Sequence, residues 1–89
     1  MTRYRRSPDA LSTEIGDDVV ALQAARGFAF GMEGVTASVW QLLAAEPSED
    51  EIIAALLEQY EVPEATCRSD VAALLADLET EGLIERVAA

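Results

Sequence analysis

Few side chains in this sequence are suited to making or breaking covalent bonds. There is one cysteine, Cys67, and no histidine. A thiol attacks as its thiolate, and a neighbouring imidazole is the usual base that generates one; Cys67 has no such partner in the chain. The commonest general base and metal ligand is therefore missing, and a lone cysteine offers no zinc spacing. The simpler expectation for Cys67 is a small apolar residue on a helix. Carboxylates are plentiful, with 17 Asp and Glu against six basic residues, all arginine, for a net charge of −11. The densest run, Glu49-Asp50-Glu51, follows Ser48 and fits a first helical turn, where negative charge complements the helix dipole. Asp17-Asp18 follows Gly16 and reads as a turn. Neither the spacing of a calcium loop nor a glycine-rich phosphate loop is present. These residues point to binding rather than catalysis, with no cofactor and no metal.

The charge balance narrows the partners. Phosphate backbones are held by Lys and Arg, so an acidic surface repels nucleic acid, and it disfavours anionic membranes in the same way. A soluble acidic surface is the plainer meaning of the same charge. One cysteine makes no internal disulfide, which fits a reducing compartment. The opening Met1-Thr2-Arg3-Tyr4-Arg5-Arg6 is basic but leads into no apolar run, so no signal peptide is expected and the location expected is cytoplasmic. No apolar stretch approaches the ~20 residues that span a bilayer.

Those side chains must be positioned by a small fold, since 89 residues suit one domain with a modest core. Residues 1–9 read as a flexible arginine-rich lead-in and 10–87 as the folded domain. Period-two alternation over Leu11, Thr13 and Ile15, then Val19–Gln23, then Phe28-Ala29-Phe30-Gly31-Met32, predicts three short strands, the last two forming a hairpin. After Gly34 the period becomes helical. Val35, Val39, Leu42 and Leu43 form one stripe, with Trp40 beside it, up to about Ala45. Pro47 ends that helix, and Ser48 with Glu51 has capping-box spacing for a second, carrying Ile52, Ile53, Leu56, Leu57 and Tyr60. Pro63 opens a third, carrying Cys67, Val71, Leu74, Leu75 and Leu78 and stopped by Gly82, after which Leu83-Ile84 packs back on the core. The fold class is α+β, winged-helix-like: a three-stranded antiparallel sheet followed by three helices. So small a sheet has open edges, and an open edge can accept another strand.

Several pieces of this pattern, in order, carry a resemblance. Phe28-Ala29-Phe30-Gly31-Met32 runs into Val35-Thr36-Ala37-Ser38-Val39-Trp40-Gln41-Leu42-Leu43. Glu51-Ile52 with Leu56 and Tyr60 fits E-I-x-x-x-L-x-x-x-Y. Asp70-Val71, Leu74-Leu75, Leu78 and Gly82-Leu83-Ile84 complete the series. From Val19 to Leu83 the chain resembles the PqqD-like family, the recognition elements of ribosomally made, modified peptides. Members often have Leu-Asn-Pro or Leu-Asn-Glu before the Thr-Ala pair, where this chain has Met32-Glu33-Gly34-Val35; the difference bears on the approach to the first helix.

The resemblance implies a non-catalytic peptide chaperone. A precursor's leader segment adds as a strand beside Phe28–Met32, in the groove between that strand and the third helix, and is delivered to a separate enzyme. That enzyme is a leader protease or cyclase, or a radical-SAM maturase, with lasso-peptide maturation favoured. The implied peptide-binding residues are Phe28, Ala29, Phe30, Gly31 and Met32 on the strand and Cys67, Asp70, Val71, Leu74, Leu75 and Leu78 on the helix. Two other functions fit the element order or the charge. A DNA-binding winged helix needs a basic recognition helix, whereas the third helix sets Asp70, Asp77, Glu79 and Glu81 against Arg68. An acyl carrier needs Asp-Ser at a helix start, and here Ser69-Asp70 is reversed.

Overall fold

The computed structural model describes residues 2–88. The elements are β1 (Thr2–Arg6), β2 (Ala10–Ile15), β3 (Asp18–Gln23), β4 (Phe28–Met32), α1 (Gly34–Leu42) with a 3-10 turn over Leu43–Ala45, α2 (Glu49–Gln59), α3 (Glu64–Thr80) and β5 (Ile84–Ala88). Strands β2, β3 and β4 form an antiparallel meander in that order, so β2 and β4 are both edges. The alternation expected of a half-buried sheet is present in β3, where Val19, Ala21 and Gln23 are buried and their neighbours exposed. They face Met32, Phe30 and Phe28 across the β3–β4 ladder. The opposite face pairs Val20 with Gly31 and Leu22 with Ala29.

The helices cover the inner face. Val39, Trp40, Leu43, Ile52, Ile53, Leu56, Leu75 and Leu78 are each at most 2% exposed and make the core with Val19, Ala21 and Leu83. The indole N–H of Trp40, buried with its ring, reaches Ser12 Oγ on β2 at 3.0 Å, as a buried indole requires. The capping box at α2 is complete: Ser48 Oγ accepts from the Glu51 amide and Glu51 Oε1 from the Ser48 amide. Pro63 stands just before the first residue of α3, at the cap position.

One expectation is corrected. Residues 1–9 are not a flexible lead-in over Thr2–Arg6, because that segment is β1, antiparallel to β5 from Thr2 opposite Ala88 to Arg6 opposite Ile84. Leu83-Ile84 packs on the core as expected, and Ile84 also opens β5. An arginine-rich strand is stable here because each of its cations has an acceptor within the molecule. Arg3 pairs with Glu51 and Arg5 with Glu85, and Arg6 donates to the Trp40 carbonyl while lying 4.8 Å from the centroid of the Trp40 ring. Burial lowers the pKa of that guanidinium, against the nearby Glu14, which raises it. Tyr4, between them, is 7% exposed and seals the core.

Candidate functional site

The outer edge of β4 is one of the two edges at which the three-stranded sheet leaves backbone unpaired, and the one that runs into the helices. Antiparallel strands bond on alternate residues to one neighbour and then the other. The Ala24 amide donates to the Asp9 carbonyl at 2.9 Å, so position 24, and by alternation Leu22 and Val20, bond towards β2. Gln23, Ala21 and Val19 therefore bond towards β4, through Phe28, Phe30 and Met32. The N–H and C=O groups of Ala29 and Gly31 point the other way, to the free edge. Both residues are exposed, and a Cβ built on Gly31 meets nothing within 4 Å.

β4 runs into α1 through Glu33, and a hollow lies on either side of that junction. One, of about 370 Å³, is open and lies on the sheet, lined by Asp18, Val20, Gly31, Met32 and Glu33 among others. The other, of about 230 Å³, is more apolar and lies where three helices meet. Val35 and Thr36 of α1, Leu56 and Tyr60 from the end of α2, Val62 of the following loop, and Cys67, Asp70, Val71 and Leu74 of α3 form its walls. The Tyr60 hydroxyl is fixed by Ser38 Oγ at 2.8 Å. Val35 and Val62 are 43% and 42% exposed, so apolar surface at the mouth is in contact with water.

The residues singled out in the sequence divide into three groups. Ala29 and Gly31 supply the open backbone, while Phe28 and Phe30 are half-buried and Met32 buried on the core face. Cys67 and Val71 are buried in the wall of the helical cavity, Leu74 is half-buried beside them, and Asp70 is exposed at its rim. Leu75 and Leu78 are 2% and 1% exposed, face the core and do not line the cavity. Sequence reasoning missed Val35, Thr36, Leu56, Tyr60 and Val62. Val62 alone gave a signal, an apolar residue beside a proline with no helical stripe to join.

The charges around the groove are uneven. Among the described residues the ion pairs engage Glu51, Glu85, Asp50, Glu64 and Glu79, and Arg26 donates to the Thr80 carbonyl. Hydrogen bonds to Asp50 and Glu64 raise the pKa of Arg68, which bridges α3 to the start of α2. Asp18, Glu33 and Asp70, which line the two hollows, are in none of these pairs. No three His, Cys, Asp or Glu side chains among the described residues are grouped as a metal ion would need, and no described helix is long and apolar enough to cross a membrane.

Comparison with known proteins gives the following. The family model for coenzyme PQQ synthesis protein D, PqqD, matches residues 18–84. No curated protein sequence matches the chain. Among solved structures, TbiB1 in complex with the TbiA(beta) leader peptide is 31% identical, with a TM-score of 0.88 over 91% of this chain and 94% of that one. Lasso peptide synthetase B1 complexed with the leader peptide is 23% identical, with a TM-score of 0.82 over 92% of this chain and 96% of that one, and shares the fold.

Proposed function

The chain belongs to the PqqD family, and from that premise we propose that it binds the leader segment of a ribosomally made precursor peptide by strand addition to β4. It then presents that segment to a separate maturation enzyme, in lasso-peptide biosynthesis. Most weight falls on the 31%-identical relative, whose structure contains a leader peptide and which aligns with nearly the whole of this chain. The free backbone of Ala29 and Gly31 supports the same mode, because strand addition draws general affinity from main-chain hydrogen bonds and specificity from pockets for alternate side chains. The helical cavity beyond Glu33 is such a pocket, with Leu74 and Val71 as its α3 wall and Asp70 at its rim.

The role is binding rather than turnover, and the setting the cytoplasm. The groove presents apolar side chains, open backbone and carboxylates, and the chain has no histidine to act as a base. The test is a calorimetric titration of the protein with the leader half and, separately, the product half of the precursor peptide encoded beside it. The leader half is expected to bind one to one at micromolar affinity or better, and the product half not to bind. A leader that does not bind, or pure protein that cleaves it, refutes the proposal.

A further inference from the structure

Resting on that peptide-binding reading, we propose that the groove selects a cationic peptide, one in which lysine or arginine flanks the apolar side chain that fills the helical cavity. Asp18 and Glu33 line the hollow on the outer face of the sheet, beside the end of β4, and Asp70 lines the helical cavity. All three residues are exposed, and no described ion pair reaches them.

The arginines of the chain are committed elsewhere. Arg3, Arg5, Arg68 and Arg86 hold carboxylates, and Arg6 and Arg26 hold backbone carbonyls. The cations that would complement the groove must therefore arrive with the ligand. A strand laid along β4 passes Glu33 at one end, with Asp18 one strand further in on the same outer face, while its alternate side chains turn towards the helical cavity that Asp70 lines. Lysine and arginine suit this course because their stems can lie on apolar surface such as Val35 and Val62 while the charged head reaches a carboxylate. An acidic peptide would bring like charges against all three, and the net charge of −11 would repel its approach. Each exposed pairing changes affinity by roughly two- to fivefold, so the three together give about tenfold or more.

The test is selection of displayed random peptides, each about a dozen residues long, on the intact protein and on the triple variant Asp18→Asn, Glu33→Gln, Asp70→Asn. On the unaltered protein, binders are expected to be enriched in Lys and Arg and depleted in Asp and Glu around an apolar anchor. The best binder, made synthetically, is expected to bind the triple variant roughly tenfold more weakly. Its affinity for the unaltered protein is expected to fall as salt rises from about 50 to about 300 mM. Replacing its Lys and Arg by Gln reads the same effect on unaltered protein, independently of how the variant folds. An apolar consensus without charge bias, or equal affinity for the triple variant, overturns cation selection and leaves peptide capture standing. A selection that returns no binder overturns both.

Discussion

Gln23 Nε2 donates a hydrogen bond to the carbonyl oxygen of Gly82, while Gln23 Oε1 accepts one from the Ala25 amide at 2.7 Å. One side chain, 3% exposed, thus joins the β3–β4 turn to the end of α3. Gln23→Leu keeps comparable bulk and leaves both backbone groups without that partner. The expected cost is about 1–2 kcal/mol, the net contribution of two hydrogen bonds whose backbone ends lie partly open to water. A urea titration checks it, with a lower midpoint and an unchanged slope.

Gly82 has φ 75° and Gly16 has φ 64°, yet the two glycines should not respond alike to alanine. A Cβ at Gly16 meets nothing within 4 Å, whereas at Gly82 it comes within 3.1 Å of the Arg26 guanidine and Gln23 Nε2. Gly16→Ala should cost only the left-handed backbone strain, about 1 kcal/mol. Gly82→Ala adds displacement of Arg26 and of the Gln23 bond, and should cost about twice as much. Equal losses in thermal unfolding would place the whole effect in the backbone.

Local pattern made most of this fold legible. The period-two runs and the capping-box serine placed β2 to β4 and α2 to within a residue or two, because each is dictated by neighbours in sequence. The pairing of β1 with β5 was not legible, since it joins positions at opposite ends of the chain. Its arginines become intelligible only once Glu51, Glu85 and Trp40 stand beside them. The candidate site was half legible for the same reason. The edge residues Ala29 and Gly31 belong to one strand, but the helical cavity is assembled from three helices, and Leu75 and Leu78 share a stripe with Val71 in sequence while facing the core.

Acid should weaken α2 through Glu51. The Ser48 amide, with Arg3 beside it, holds the Glu51 carboxyl below its ordinary pKa, despite some desolvation in the other direction. The folded state therefore binds this proton less readily than the unfolded chain. The stabilisation is complete above the ordinary carboxylate range and is lost as pH falls through that range towards the lowered folded value. Glu51→Gln keeps a cap-box acceptor but does not titrate. Urea midpoints measured from about pH 7 to about pH 3 should fall more steeply for the parent than for the variant. Parallel curves would show that Glu51 carries none of the acid sensitivity.

The most selective test of strand addition is on the backbone of β4. Phe28, Phe30 and Met32 bond inward to β3, so proline at any of them would break the existing ladder. Ala29 and Gly31 present their N–H groups to the free edge, so proline there removes an outward donor and leaves the β3 bonds in place. Both positions face the exposed side of the sheet, paired with Leu22 and Val20, and Gly31 has open space around it. Ala29→Pro and Gly31→Pro are therefore expected to fold, with circular dichroism like the parent. Each should bind leader peptide roughly fivefold more weakly, the equivalent of one hydrogen bond of about 1 kcal/mol. Ala29→Val, which keeps the N–H and only enlarges the side chain, separates backbone pairing from crowding. If Ala29→Val binds as weakly as Ala29→Pro, crowding accounts for the loss. If both proline variants are folded and bind like the parent, the peptide does not pair with β4, and the helical cavity alone must hold it.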